Sequence, residues 1–240
     1  MPLQAYGLGD ILFTISIARK WHQDGYQILW GINPIYLGIA KHFPWITFVD
    51  YDLLNIDYSS QETTTRGNAT IVPLRWAREI LQAPLQDVQR AKYDLVNIPW
   101  ENWKDGFLCF RDLQAEYNLF YKVLDLDLGE KYNLVSEHYQ TGGKQRSPLV
   151  IDNGLRNVYL TFYQGYTLID WLTVIENATT IHAVSSSSIY LFELYETQAQ
   201  EVHLYPRKPE EMDHEHYQYL LNKKYIFTNK KTKNGSIQIY

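Results

Sequence analysis

Hydrophobic and polar residues follow one another along this chain in blocks that switch between helical and strand spacing. Residues 11–22 place apolar side chains at close to helical spacing, which predicts a helix after a short, partly apolar start. Apolar runs at 27–32 and 46–51 predict two strands, and Asn33 begins a short helix between them. Strands and helices in this order, joined by short links, predict an α/β fold with a parallel, doubly wound sheet.

The middle of the chain has a weaker pattern, although strand and helix signals can still be separated. The predicted elements here are a polar loop over 58–68, strands over 69–74 and 93–98, an amphipathic segment over 84–92, an irregular aromatic stretch over 99–110, and a helix over 113–124.

A glycine-rich polar stretch at 141–148 follows a predicted strand at 132–139 and predicts an interdomain linker. We therefore expect an N-terminal domain over 1–140 and a C-terminal domain over 149–240. The pattern resumes after the linker, with strands predicted at 149–152, 158–162, 180–184, 201–205 and 225–228, helices at 168–177, 189–195 and 212–221, and a terminal hairpin turn at Asn234.

The first stretch with chemical potential is Gly7-Leu8-Gly9-Asp10, which is predicted to turn the chain from the first strand into the first helix. Glycines allow a ligand to approach the backbone, and open α/β sheets bind ligands at the carboxyl ends of their strands. The alternative is a purely structural helix start in which Asp10 is the N-cap. The dinucleotide-binding fingerprint is excluded because Leu12 stands where its third glycine belongs.

The second stretch is a run of four serines that follows the predicted strand at 180–184. Hydroxyls and backbone amides at the start of a helix can hold phosphate oxygens. The residues concerned are Ser185, Ser186, Ser187 and Ser188. The alternatives are that the serines only cap the next helix and that His182, on the strand before them, is a core histidine.

Composition narrows the classes of function. The net charge of -5 argues against a broad nucleic-acid-binding surface. The single cysteine, Cys109, excludes an internal disulfide and a cysteine-based metal cage, which fits a reducing compartment. We see no signal peptide and no apolar run of membrane-spanning length, so a cytoplasmic location is expected. His214 and His216 are two residues apart, which does not place them on one helix face, and no metal site is predicted.

The Gly-Leu-Gly-Asp start, followed by Ile-Leu-Phe-Thr, resembles the N-terminal motif of heptosyltransferase-like glycosyltransferases of the GT-B fold. Residues 168–191 are similar to the segment of that family that binds the sugar donor. The resemblance covers the two ends of the chain and hardly touches 51–145. It implies two Rossmann-like domains that face each other across a cleft, with the acceptor on the first, the nucleotide sugar on the second, and the second domain abbreviated.

The resemblance also implies roles for individual residues. Asp10 matches the general base, with Gly7, Gly9 and Thr14 in the loop on the acceptor side. The four serines match the loop that holds the donor diphosphate, and His182 before them is included in the donor-binding set. Arg156 is included too, because arginine forms bidentate contacts with phosphates, the alternative being a plain surface arginine. This chain has Ser-Ser where the family has Asp-Ser, and Tyr190 where the family has a histidine.

The sequence therefore predicts an enzyme that moves a sugar from a nucleotide sugar to a hydroxyl group of a glycan or other acceptor. The transfer is expected to invert the anomeric centre and to need neither a metal nor a cofactor, the nucleotide sugar being a substrate. The alternative is a non-catalytic module that binds nucleotides or glycans and derives from such an enzyme. A transferase acting on DNA bases is disfavoured by the acidic net charge.

Overall fold

The computed structural model describes residues 1–139, 145–207 and 218–228, and the chain divides into two compact units. Unit 1 is Met1–Phe110 and unit 2 is Arg111–Tyr240. The division therefore falls before the 141–148 linker predicted from the sequence. Residues 111–139 belong to unit 2 because they contain a strand that pairs on both sides within its main sheet.

Unit 1 begins with an extended segment, residues 1–5, that leads into helix α1 (Leu8–Gln23). Strands β1 (Ile28–Ile32) and β2 (Ile46–Asp50) follow and pair in parallel, with the 3-10 helix Pro34–His42 between them. The extended segment is held on one side by a parallel bridge between Pro2 and Val72 and on the other by the bond from Asn33 N to Ala5 O, 2.9 Å.

The remainder of unit 1 consists of short elements. They are the antiparallel pair β3 (Thr64–Arg66) and β4 (Ala69–Ile71), helices α2 (Ala77–Leu81) and α3 (Val88–Asp94), and the 3-10 helices Tyr51–Leu54, Leu74–Trp76, Leu85–Asp87 and Trp100–Asn102.

The core of unit 1 is aromatic and explains why the strand predicted at 93–98 does not form. Tyr93 lies in α3, where its ring is buried 5.0 Å from that of Phe13 and its hydroxyl donates to the Phe13 carbonyl at 2.6 Å. Trp103 also packs on Phe13, with ring centroids 5.1 Å apart. After Tyr93 the helix ends in a turn, in which the backbone N–H groups of Val96 and Ile98 both donate to the Tyr93 carbonyl at 3.1 Å, and these residues do not pair as a strand.

Unit 2 is built on a five-stranded sheet in which every neighbouring pair is parallel. Its strands in chain order are β5 (Tyr132–Ser136), β8 (Arg156–Tyr159), β9 (Thr180–Val184), β10 (Glu201–Tyr205) and β11 (Ile226–Phe227), and the short antiparallel pair β6 (His138–Tyr139) and β7 (Gln145–Arg146) lies between β5 and β8 in the chain. The spatial order is β11-β10-β9-β5-β8.

This order places the first strand of the sheet beside the third. From β5 the chain proceeds to β8 on one side, and from β9 it proceeds to β10 on the other. The carboxyl ends of β5 and β9 therefore form a topological switch point, where the crevice for a ligand opens in sheets of this kind. The helices of unit 2 are α4 (Leu113–Tyr117), continued by the π-helix Asn118–Val123, then α5 (Leu172–Asn177), preceded by the 3-10 helix Ile169–Trp171, and α6 (Ser188–Leu194).

The strand predicted at 149–152 is also wrong. Leu149 and Ile151 instead pack with Val135, Val184 and Tyr205 in one buried cluster. The Leu149 backbone N–H donates to the carboxylate of Glu137 at 2.6 Å rather than to a neighbouring strand. The segment thus covers one face of the sheet, because burying Leu149 and Ile151 against the strands removes their apolar side chains from water.

The mixed α/β class and the parallel sheet predicted from the sequence are confirmed. Within the described ranges, no helix combines the length and the apolar character needed to cross a membrane. The first part of the helix predicted at 212–221 and the hairpin turn at Asn234 lie outside the described residues, and 218–220 form a 3-10 turn.

Candidate functional site

Asp10 lies in the first turn of α1 and is held by two side chains from α3. Its Oδ1 accepts a hydrogen bond from Gln89 Nε2 at 2.9 Å and forms an ion pair with Lys92 Nζ. Lys92 is almost completely buried, whereas 32% of the Asp10 side chain is exposed. A carboxylate near a helix N-terminus is also favoured by the helix dipole.

Gly7 is the N-cap of α1 and has a φ of 79°, a left-handed conformation that favours glycine. A Cβ at this position would collide with Oδ2 of Asp10. The Tyr36 hydroxyl lies at the backbone N–H groups of Leu8 and Gly7, and burial raises the pKa of that hydroxyl. These amides therefore bind a tyrosine of the same unit, and the Asp10 carboxylate is the partly exposed polar group of the turn.

Two of the residues predicted on the acceptor side have other roles. The Thr14 side chain is buried and donates back to the Asp10 carbonyl of the same helix at 2.8 Å, so it cannot face an acceptor. Gly9 lies inside the first turn of α1, which begins at Leu8, rather than in the turn before the helix. The alternative reading of Asp10 as the N-cap is wrong as well, since Gly7 occupies that position.

Aromatic and cationic groups lie next to the glycine turn. Tyr6, immediately before Gly7, is partly exposed, and its hydroxyl is bonded to the hydroxyl of Tyr51, the residue that follows β2. The guanidinium of Arg75 lies 5.5 Å from the centre of the Tyr6 ring and 5.1 Å from that of Trp76. Exposed aromatic faces of this kind suit the apolar faces of sugar rings.

In unit 2, the serine turn predicted from the sequence lies at the switch point of the sheet. Ser185 directly follows β9, and the hydroxyl of Ser188 is 3.0 Å from those of Ser186 and of Ser136, the last residue of β5. Hydroxyl groups from the two strands that flank the switch point are thus brought together. Helix α6 is only seven residues long, so the hydroxyls rather than a helix dipole characterise this place.

A cation that the sequence analysis did not single out completes the turn. Arg207, two residues after β10, donates from Nε to the Ser185 carbonyl at 2.6 Å, and its guanidinium lies 5.7 Å from the centre of the Tyr139 ring. Glu137, buried at the end of β5, accepts from Arg146 and Leu149 and so fixes the chain next to the turn.

Arg156 and His182, which were predicted to bind the donor, are placed elsewhere. Arg156 is the first residue of β8, at the opposite edge of the parallel sheet from the serine turn. Its guanidinium donates to the carbonyls of Leu124 and Asp125 and pairs with Glu130, so it closes a loop of unit 2. Because Arg156 lies at the start of its strand and is bound to this loop, it is not part of the serine turn.

His182 lies within β9 and is buried in a polar network on one face of the sheet. Its ring stacks on that of His203 with centroids 4.6 Å apart, and its Nδ1 lies 3.0 Å from the Tyr205 hydroxyl. Burial, helped by the neighbouring His203, lowers the pKa of His182 to about 3. A histidine that stays neutral and is enclosed by partners has the core role that the sequence left open as an alternative.

The sequence offered weak signals for the residues it missed. Gln89 and Lys92 are three residues apart in a predicted amphipathic segment, a spacing that places both side chains on one face of a helix. The structure shows that this face is buried, which the sequence signal alone did not reveal. Arg207 follows a predicted strand by two residues. Within the described residues no group of three or more His, Cys, Asp or Glu side chains is arranged to hold a metal, and His214 and His216 lie outside them.

No family model, no curated protein and no solved structure matches this chain.

Proposed function

We propose that the chain is a glycosyltransferase that moves a sugar from a nucleotide sugar to an acceptor hydroxyl with inversion and without a metal. The observation that carries this proposal is the place of the serine turn. The run of serines before a helix is typical of a phosphate-binding segment, and it lies at the topological switch point of a parallel sheet. The proposal includes the GT-B arrangement, with the acceptor on unit 1 and the nucleotide sugar on unit 2.

The proposed chemistry divides between the two units. In unit 1, the carboxylate of Asp10 takes the proton of the acceptor hydroxyl as the oxygen attacks the anomeric carbon. In unit 2, the hydroxyls of the serine turn, with Arg207, hold the diphosphate, which leaves with the electron pair of the broken bond. The aromatic residues next to the glycine turn support a carbohydrate as the acceptor.

The test combines nucleotide binding with turnover. Nucleoside diphosphates are titrated by calorimetry, and release of the diphosphate from nucleotide sugars is followed with a panel of glycan acceptors. We expect Asp10→Asn to bind nucleotide normally and to lose transfer by about 100-fold or more, because a general base contributes that much. Normal turnover by this variant would refute the assignment of Asp10.

The donor site is tested with a carboxylate placed in the serine turn. Ser187→Asp should weaken diphosphate binding about 10-fold or more through repulsion between like charges. Thr65→Asp, on the exposed β3 strand of unit 1, adds the same charge away from the turn and should leave binding unchanged. Equal effects of the two substitutions would show that the serine turn is not the donor site.

One observation favours a module that binds nucleotides or glycans without catalysis. Arg156 is engaged elsewhere in unit 2, so one of the groups predicted to stabilise a leaving diphosphate is not at the serine turn. Nucleotide binding by calorimetry with no turnover across the acceptor panel would establish this second function.

A further inference from the structure

The ion pair between Asp10 and Lys92 is strongly asymmetric in its exposure to solvent. The Lys92 side chain is 3% exposed, so its ammonium depends on protein partners, and Oδ1 of Asp10 is one of them. Asp10 is 32% exposed and can be hydrated without Lys92. A buried ammonium that loses its partner destabilises a protein strongly. The pair therefore joins a buried cation to a carboxylate that is partly exposed to solvent.

Gln89 adds a second bond to the same oxygen. It lies three residues before Lys92 in α3, so both side chains project from one face of that helix. Its Nε2 donates to Oδ1 at 2.9 Å, and Gln89 itself is 5% exposed. Two buried donors thus fix one carboxylate oxygen, which restricts the rotation of the Asp10 side chain.

The other oxygen of Asp10 is treated differently. Within the described residues, Oδ2 accepts no hydrogen bond. It lies against Gly7, where a Cβ would collide with it, so the glycine permits this position of the carboxylate. The carboxylate is therefore held at Oδ1 by two buried donors, whereas Oδ2 of this partly exposed side chain has no hydrogen-bond donor among the described residues.

From this arrangement we infer that Lys92 and Gln89 are positioning residues that orient Asp10 and leave Oδ2 as the oxygen that receives the acceptor proton. The inference rests on the proposed function for its last step. In that step the O–H bond of the acceptor breaks, its proton binds to Oδ2, and the electron pair of that bond forms the new bond from oxygen to the anomeric carbon. The bond from the anomeric carbon to the nucleoside diphosphate breaks at the same time, and the diphosphate leaves with its electron pair. Lys92 keeps its protons and stays on Oδ1 throughout.

A first experiment tests the pairing without any substrate. Thermal unfolding is compared for the parent, Asp10→Asn, Lys92→Met and the double variant. We expect Asp10→Asn to melt several degrees lower than the parent, because Lys92 is left buried without an anion. Adding Lys92→Met to that variant should recover most of the loss. An Asp10→Asn protein as stable as the parent, or no recovery in the double variant, would overturn the inference.

A second experiment tests the role in transfer by chemical rescue. Lys92→Ala removes a propylammonium group. We expect kcat to fall about 100-fold, as for a misplaced reacting group, with little change in the KM of the nucleotide sugar or of the acceptor. Added n-propylammonium should restore several-fold activity, whereas n-propanol, which is neutral and of similar size, should not. Gln89→Leu should lower kcat less, because Lys92 still holds Oδ1.

The control is Arg90→Ala, which removes a cation from the same helix. Arg90 is exposed, pairs with Asp94 and lies 5.9 Å from the centre of the Trp100 ring, and such surface contacts contribute little, so its loss should leave kcat and the melting temperature nearly unchanged. Rescue by propanol as strong as rescue by propylammonium, or a rise in KM with kcat intact, would show that Lys92 only supports the fold. A parent that pairs Asp10 with Lys92 in the melting series and transfers no sugar would refute the proposed glycosyltransferase and leave the pairing in place.

Discussion

The side chain of His182 shows how a single residue can combine a chemically active group with a structural role. Its ring is enclosed between His203 and the Tyr205 hydroxyl, and its Nε2 lies 3.2 Å from the Thr180 hydroxyl. Every one of these contacts is compatible with a neutral imidazole. Burial disfavours the charged form of the ring and, helped by His203, lowers the pKa of His182 to about 3, far below that of a histidine in an unfolded chain.

This shift predicts a loss of stability in acid. Below a pH of about 6.5 the unfolded chain binds a proton at His182, whereas the folded protein does so only near pH 3. Stability from this residue is therefore complete above pH 6.5 and falls as the pH decreases, by up to about 1.4 kcal/mol per pH unit.

Urea unfolding of the parent and of His182→Gln between pH 7 and pH 4.5, a range of about 2.5 units, checks this slope. The difference between the two proteins should shift in favour of the variant as the pH falls. His138→Gln, which replaces an exposed histidine in β6, should follow the parent at every pH. A difference that does not depend on pH would contradict the prediction.

Among the elements, β5 connects the sheet of unit 2 with the serine turn. It pairs with β8 and β9, ends at the serine turn through Ser136, and carries Asn133 on the face that also holds His182. The Asn133 amide donates to Asn153 and Asn157, each at 2.8 Å, and its oxygen accepts from Thr180. A fully buried side chain thus connects three strands and the segment that covers them.

We expect Asn133→Leu to destabilise the protein by about 2–4 kcal/mol, because several polar partners lose their bonds inside the core. Asn153→Leu should cost less, since Asn153 is exposed and ends the network. Denaturant unfolding of both variants measures the difference. Equal losses of stability for the two substitutions would contradict the prediction that Asn133 contributes more to this hydrogen-bond network than Asn153.

At the scale of the whole molecule, the division at Phe110 changes the composition of the C-terminal part. The boundary predicted from the glycine-rich stretch leaves β5 outside the second domain, so that domain looked abbreviated. The structure assigns residues 111–139 to unit 2, which adds α4 and a strand that pairs on both sides.

The division is tested with two fragments. A chain of residues 111–240 should unfold in one cooperative thermal transition, because it contains all five strands of the sheet. A chain of residues 149–240 lacks β5 and should show no cooperative transition, since β8 loses its neighbour in the sheet and β9 loses one of its two. Cooperative melting of the shorter fragment would show that the predicted boundary is the correct one.

The sequence by itself determined the elements whose local signals are strong. The spacing of apolar residues predicted α1, and the short apolar runs predicted β9 and β10 at the bounds that the structure gives them. The glycines before Asp10 and the serines after β9 were also visible locally. Such signals depend on neighbouring residues in the chain, which is why sequence reasoning reaches them.

Only the tertiary structure decided which distant residues meet. Lys92 joins Asp10 across 82 residues of chain, and Ser136 joins Ser188 across 52. The apolar stretches at 93–98 and 149–152 look like strands, but the first continues α3 into a turn, with Tyr93 in the aromatic core, and the second covers a sheet face. Periodicity records that a residue is buried and does not record against what, because the partner is set by the packing of the whole unit.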